Sequence, residues 1–398
     1  MPAALFAQRP LRDWPCRIYH HGTLGQHAAY DHSTATLKNH ENCDMNNIKV
    51  SIILPVYNGC KYLSYAINSI IMQTYDNFEL IILNDGSMDD SENIIQDFQA
   101  KDKRIIYIKN EINLGLIATL NRGFNVASGK YIARMDQDDI SCPERLRLQI
   151  GFLEKLKAPA IVGSNIVVID KENKVIKIPR NMHTEASENF WVKFRKCPLY
   201  HPTVMMSREI MTSFGPIYQP QDIHAEDHCA WLRLNRNFPI YNIKTPLLFY
   251  RSHGENYSDN YALGQIDKTL TVLSNNYYES FSYKISRAAL ESLLFLRVQP
   301  ASDVKSIFVD ILEGGRSFIG RFGYERFVKI DLAYCIFNIG LKSGFSKLTF
   351  AVLFIRKNLG YLPLTNAILA TFNEGLKQVS HKGVYSLKLN SILKNTAE

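Results

Sequence analysis

At 398 residues the chain is long enough for one large domain or two ordinary ones, and 46% apolar with 21% charged residues excludes wholesale disorder. Seven cysteines without a Cys-x-x-Cys pair give no zinc framework and suit a reducing compartment. No apolar run reaches the roughly 18 to 20 residues of a membrane span, and the net charge of +8 falls almost wholly after Asp267, diluted among apolar residues, which argues against nucleic acid.

Met1 to Asn47 carries His20, His21, His27, His32 and His40 among polar residues with no helical or strand period. It lacks the continuous apolar core of a secretory signal. Met45-Asn-Asn-Ile-Lys leads straight into a strand, so translation is expected to start at Met45, with 1–47 an unstructured or non-native extension. From Val50 the pattern is regular. Val50 to Leu54, Phe78 to Leu83, Arg104 to Ile108 and Tyr131 to Met135 are apolar runs of strand length. Helical spacing separates them: Leu63, Ile67, Ile70 and Ile71; then Ile94, Ile95 and Phe98; then Leu116 to Val126. The alternation predicts an α/β fold with a buried parallel sheet. Pro143 opens a further helix, Ile161 to Ile169 and Val175 to Ile178 read as a hairpin, and His201 to Met206 and Leu247 to Tyr250 as strands. Beyond Tyr261 apolar residues recur at helical steps over 288–298, 304–312, 332–341, 348–359 and 368–379, which predicts a helical bundle. A membrane-surface helix over Phe345 to Tyr361, with Lys347, Arg356 and Lys357, is the sharper reading of part of it.

Ligands of open α/β sheets bind beyond the carboxyl ends of the strands. Pro55-Val-Tyr57-Asn58, Asn84-Asp85-Gly86-Ser87 and Asp136-Gln137-Asp138-Asp139 all fall at that edge. Three carboxylates in four residues repel one another, which suits a divalent cation with oxygen ligands; a solvated acidic turn also fits. Glu226 and Asp227 lie in the first turn of a helix whose apolar face is Ala230, Trp231 and Leu234. Carboxylates are favoured there by the macrodipole alone, so chemistry does not separate a catalytic acid from a helix-terminal one.

Taken together these residues resemble glycosyltransferase family 2, the inverting enzymes of GT-A fold. The similarity covers roughly Ile48 to Ser258 and rests on the ordered set above with Gln73-Thr74, Asn113-Leu-Gly115, His201-Pro-Thr, Glu226-Asp227 and Tyr250-Arg251-Ser-His253. It implies a Rossmann-like, mainly parallel GT-A domain over 48–260, followed by a helical region over 261–398. It implies that Pro55, Tyr57, Asn58, Asp85, Gly115 and Asp136 bind the nucleotide sugar. Tyr57 would stack on the base, Asp85 would accept from a ring N–H, and Asp136 would lie against the ribose. Asp138 and His253 would hold Mn²⁺ or Mg²⁺, leaving Asp139 to shape the next turn. Asp227 would be the base that deprotonates the acceptor. The family commonly has two aspartates where this chain has Asn84 and Asp85, which weakens any inference about the base. The implied donor is a UDP-sugar and the acceptor a glycan or lipid-linked oligosaccharide for O-antigen, capsule or other cell-surface polysaccharide. The implied place is the cytoplasm, with peripheral contact at the inner membrane face through the basic C-terminal helices.

Other readings fit less well. A phosphohydrolase with an Asp-x-Asp nucleophile needs its acids after the first strand, not the fourth. A sugar-phosphate nucleotidyltransferase needs a glycine-rich basic loop that Pro55-Val-Tyr-Asn-Gly59 does not supply. A silent binding or scaffold protein of the same fold has no physical reason to keep clustered acids.

Overall fold

Strands apolar at every position have two faces to bury, and this chain divides them between two cores. The computed structural model describes residues 47–179, 183–194, 196–254, 262–295 and 303–322, with isolated helical residues between 328 and 351. The expectations for residues 1–46 and for helices over 348–359 and 368–379, including the membrane-surface helix, lie outside the described residues, Ala351 apart. Four parallel strands come first: β1 (Val50–Val56), β2 (Phe78–Asp85), β3 (Ile105–Asn110) and β4 (Tyr131–Arg134). Ile52, Leu54, Leu80 and Ile82 point into one core, while Ile53, Ile81 and Leu83 point into the other. Among the helices, α1 (Cys60–Ile71), α2 (Ser91–Gln99), α3 (Leu116–Val126) and α4 (Arg145–Leu156) follow β1, β2, β3 and the acid cluster in turn. Leu63 and Ile67 of α1, Ile95 of α2 and Ile150 of α4 fill the first core; Leu120 and Phe124 of α3 fill the second.

The second half of the sheet is mixed. It adds β5 (Ile140–Ser141), β6 (Ile161–Ile169) and β7 (Val175–Lys177), then α5 (Ala186–Val192) and β8 (Met205–Ser207). After these come α6 (Glu209–Phe214), α7 (Glu226–Leu234) and β9 (Ile240–Arg251). The strand order is β3-β2-β1-β4-β8-β6-β9-β5, with β7 paired to β6. The short β8 runs antiparallel to both β4 and β6, and β5 antiparallel to β9. The parallel expectation therefore holds for β1 to β4 and for the β6–β9 pair, and the three short strands β5, β7 and β8 reverse the rest. The predicted hairpin is present as β6 and β7.

The strand expected over His201 to Met206 starts late. His201–Thr203 form a 3₁₀ turn, because Pro202 has no N–H to give a ladder and the Thr203 hydroxyl bonds back to the Tyr200 carbonyl at 2.7 Å. Beyond β9, α8 (Ala262–Phe281), α9 (Arg287–Phe295) and α10 (Val304–Phe322) form a third core with Trp191, Val192 and Phe194 around α5 and Leu232 of α7. No helix among the described residues is long and apolar enough to cross a membrane.

Candidate active site

The turn after β2 is built by the residue that departs from the family pattern. Asn84 is fully buried; its Oδ1 accepts from Ser87 N–H at 2.9 Å, and its Nδ2 donates to Tyr107 Oη at 3.3 Å. Tyr107 donates on to Glu92, which is ion-paired with Lys109 at 2.8 Å. An aspartate would form the first bond but could not donate the second. Asp85, next along, is also buried. Its carboxylate accepts from Asn110 Nδ2 (2.7 Å), Leu114 N–H (2.8 Å) and Gly115 N–H (2.9 Å). Gly115 has φ +84°, so glycine suits the turn that aims this N–H. Asp85 and Gly115 thus meet in one loop clasp, and the clasp occupies much of the carboxylate expected to face a base.

Pro55 lies within β1, and Tyr57 and Asn58 follow it. The Tyr57 ring is 41% exposed, open for a planar ligand. Asn58 has a left-handed backbone (φ +47°). Its Oδ1 accepts from Met88 N–H at 2.8 Å, while its own N–H donates to Ser87 Oγ at 3.0 Å. Asn58 therefore ties the β1 loop to the β2 loop.

The acid cluster sits where β4 ends, and its charges are not left to themselves. Arg134 and Asp136 are two apart and share one side of the chain as it leaves β4. Arg134 Nη1 donates to Asp136 Oδ2 at 2.6 Å and its Nη2 pairs with the other oxygen. Even so, burial keeps the Asp136 carboxyl above the usual carboxylate range. Arg251 Nε donates to the Asp138 carbonyl at 2.8 Å, and its N–H to Asp139 Oδ1 at 2.9 Å. The Arg251 guanidinium also lies 4.4 Å from the centre of the Tyr62 ring. Arg145, fully buried beneath, donates to the Arg134 carbonyl at 2.7 Å; burial lowers its pKa to about 10. Three guanidiniums thus meet part of the repulsion that alone suggested a cation. The spacing of Arg134 and Asp136 was the signal in the sequence for the first of them.

What remains fits a hard cation. Asp136, Asp138 and Asp139 each bring an oxygen within 4.8 Å of the others. Asp139 Oδ2 is buried with no hydrogen-bond partner, and burial, then the Asp138 and Asp136 charges, hold that carboxyl well above its usual range. His253 Nε2 lies 2.9 Å from Asp138 Oδ2, and its ring packs on Tyr62. With Asp136 taken by Arg134, the residues that could hold the ion are Asp138, Asp139 and His253. Asp139, read from sequence as a turn former, is buried deeper than Asp136 and Asp138.

Within electrostatic reach of the cluster stands the start of α7. Glu226 is buried, and burial followed by the Asp227 charge raises its pKa to about 7. Asp227 is half-buried; its Oδ1 accepts from His228 N–H at 2.6 Å and its Oδ2 lies 3.5 Å from Cys197 Sγ. Its charge reaches the acid cluster, adding to the rise at Asp136. Of the two carboxylates only Asp227 offers exposed surface. Behind them His201 Nε2 lies 2.7 Å from Tyr218 Oη, and burial pushes the histidine well below its ordinary pKa and the tyrosine above its own.

The sequence profile of Glycosyl transferase family 2 matches residues 51–214. The chain is 34% identical over 231 residues to an uncharacterized glycosyltransferase of Haemophilus influenzae, covering 56% of this chain and 69% of the relative. It is 32% identical over 281 residues to one of Methanocaldococcus jannaschii, covering 67% of this chain and 95% of the relative. Among solved structures, residues 1–349 of S. aureus TarS superpose with a TM-score of 0.51 at 16% identity, covering 78% of this chain and 89% of that one, a likeness of fold. The motifs in their order, the mixed α/β sheet with its flanking helices and these relatives agree: the chain is a glycosyltransferase of GT-A fold and belongs to glycosyltransferase family 2.

Proposed function

We propose that the chain is a metal-dependent, inverting glycosyltransferase that moves a sugar from a nucleoside-diphosphate donor to a glycan or lipid-linked acceptor in cell-surface polysaccharide synthesis. The observation that carries this reading is the nearness of two acid sets: Asp136, Asp138 and Asp139 with His253, and Asp227 at the start of α7, whose charge reaches Asp136. Tyr57 stacks on the base, and Asp85 with Gly115 shapes the wall beside it. Pro55 and Asn58 hold the loop that carries the tyrosine. Asp136, pinned by Arg134, faces the ribose. Asp138, Asp139 and His253 would hold Mn²⁺ or Mg²⁺, which would supply positive charge to offset that of the diphosphate.

The rest is the work of the chain's own residues. Asp227 accepts the proton of the acceptor hydroxyl as its oxygen bonds to the anomeric carbon. The bond from that carbon to the phosphate oxygen breaks on the opposite side, so the configuration inverts and the nucleoside diphosphate leaves with the electron pair. Glu226, buried and with its pKa raised to about 7, stays out of the transfer. TarS was solved with UDP-GlcNAc, so uridine donors are the first to test. Thermal shift against UDP-, GDP- and dTDP-sugars with Mn²⁺, followed by assay of released diphosphate with acceptor supplied, tests the proposal. One nucleotide class should raise the melting midpoint, and EDTA should lower turnover at least about a hundredfold. Silence across the panel would favour a binding scaffold instead.

A further inference from the structure

The second residue of the acid cluster is amidated, and its side chain leaves the cluster. Gln137 Oε1 accepts from Tyr57 N–H at 2.9 Å, and Gln137 Nε2 donates to the Tyr57 carbonyl at 3.1 Å. One carboxamide so engages both main-chain groups of a residue 80 positions earlier, as a neighbouring strand would. The loop after Tyr57 is fastened on its other side by different means. Asn58 N–H bonds to Ser87, Gly59 N–H to Ser91 Oγ at 3.0 Å, and Cys60 N–H to Asp89 at 2.9 Å. Gly59 also makes room for the clamp. A Cβ built there would stand 2.5 Å from Gln137 Cδ, and its three nearest atoms all belong to that amide. Its φ of −106° is one any residue adopts, so the glycine answers to the amide and not to the backbone.

We infer that Gln137 is a positioning residue: its carboxamide fixes the Tyr57 peptide, and so the plane of the exposed ring, relative to the acids on either side of Gln137. This rests on the reading in which Tyr57 stacks on the donor's base. It ties the base end of the site to the diphosphate end through one side chain. Glutamate at 137 would keep one bond, lose the other and add a fourth carboxylate; methionine keeps the length and loses both bonds.

The test is a double-mutant cycle on the full chain, reading the dissociation constants of UDP, GDP and dTDP with Mn²⁺ present and the melting midpoint without nucleotide. Gln137→Met removes the clamp, and Gly59→Ala displaces it from the other side. Each should weaken the nucleotide that wild type binds by about tenfold, the scale of a misaligned stacking contact. The double variant should be no weaker than either single one, because the two changes act on one contact. The nucleotide-free midpoint should stay at the wild-type value. Unchanged affinity in Gln137→Met, losses that multiply in the double variant, or a midpoint that falls with affinity would overturn the positioning role alone. Failure of the wild-type protein to bind any of the three nucleotides would instead overturn the donor reading, and this inference with it.

Discussion

Glu226 and Asp227 are adjacent carboxylates with different surroundings, and their titration should separate them. The Glu226 pKa is about 7 in the fold against an ordinary value of 4.5, so the folded state binds its proton more tightly than the unfolded chain. Its stabilising contribution is therefore complete below about pH 4.5 and is lost as pH rises through about 7. Glutamine does not titrate, while the other ionisable groups stay common to both proteins. The stability of Glu226→Gln relative to wild type should rise between about pH 5 and 7 and then level off, read as urea midpoints at each pH. A difference that stays flat would mean the carboxyl is not desolvated as described. Sequence could not assign this, because a helix N-terminus favours both acids equally. Burial, which distinguishes them, depends on Trp231 and Leu232 of α7 entering two different cores. Asn84 was legible as a departure, but its reason lay in Tyr107, 23 residues on.

Elements with strong periods were the legible ones. The helix over Leu116–Val126 was bounded correctly, and β1, β2 and the β6–β7 hairpin were found within a few residues, since their apolar runs fit strand length. Two-residue β5, six-residue α6 and seven-residue α5 are too short to show a period, and α8 hides Leu270, Leu273 and Tyr277 among polar residues. Gln73-Thr74 was recognised as a motif without a role, and its role is to join elements. Gln73 Nε2 donates to the carbonyls of Ser69 (3.0 Å) and Cys142 (2.8 Å), and Oε1 accepts from Leu146 N–H at 3.1 Å. The end of α1 thereby fixes β5 and the start of α4, which flank the acid cluster. Gln73→Leu leaves the Cys142 carbonyl and the Leu146 N–H buried without that partner, and should cost about 2–4 kcal/mol in urea unfolding. A loss under about 0.5 kcal/mol would mean that the joint is made elsewhere.

For the molecule as a whole, the order of motifs along the chain announced the architecture, and the parallel half of the sheet placed them at one edge. The antiparallel insertion of β8 was not legible, yet it puts His201 and the approach to α7 beside β4. Asp227, ninety-odd residues beyond the cluster, lies near enough for its charge to reach Asp136. Arg145 and Arg251 were missed for a similar reason: Arg145 meets the Arg134 carbonyl, and Arg251 meets Asp138 and Asp139, only in the folded chain. The claim that joins these levels is that Asp227 is the base of a transfer whose donor is held by the opposite acids. Asp227→Asn keeps the side chain's shape and removes its basicity. Nucleotide affinity with Mn²⁺ should match wild type, while sugar transfer should fall by about 10²- to 10⁴-fold. Turnover near wild type with donor binding intact would contradict the account.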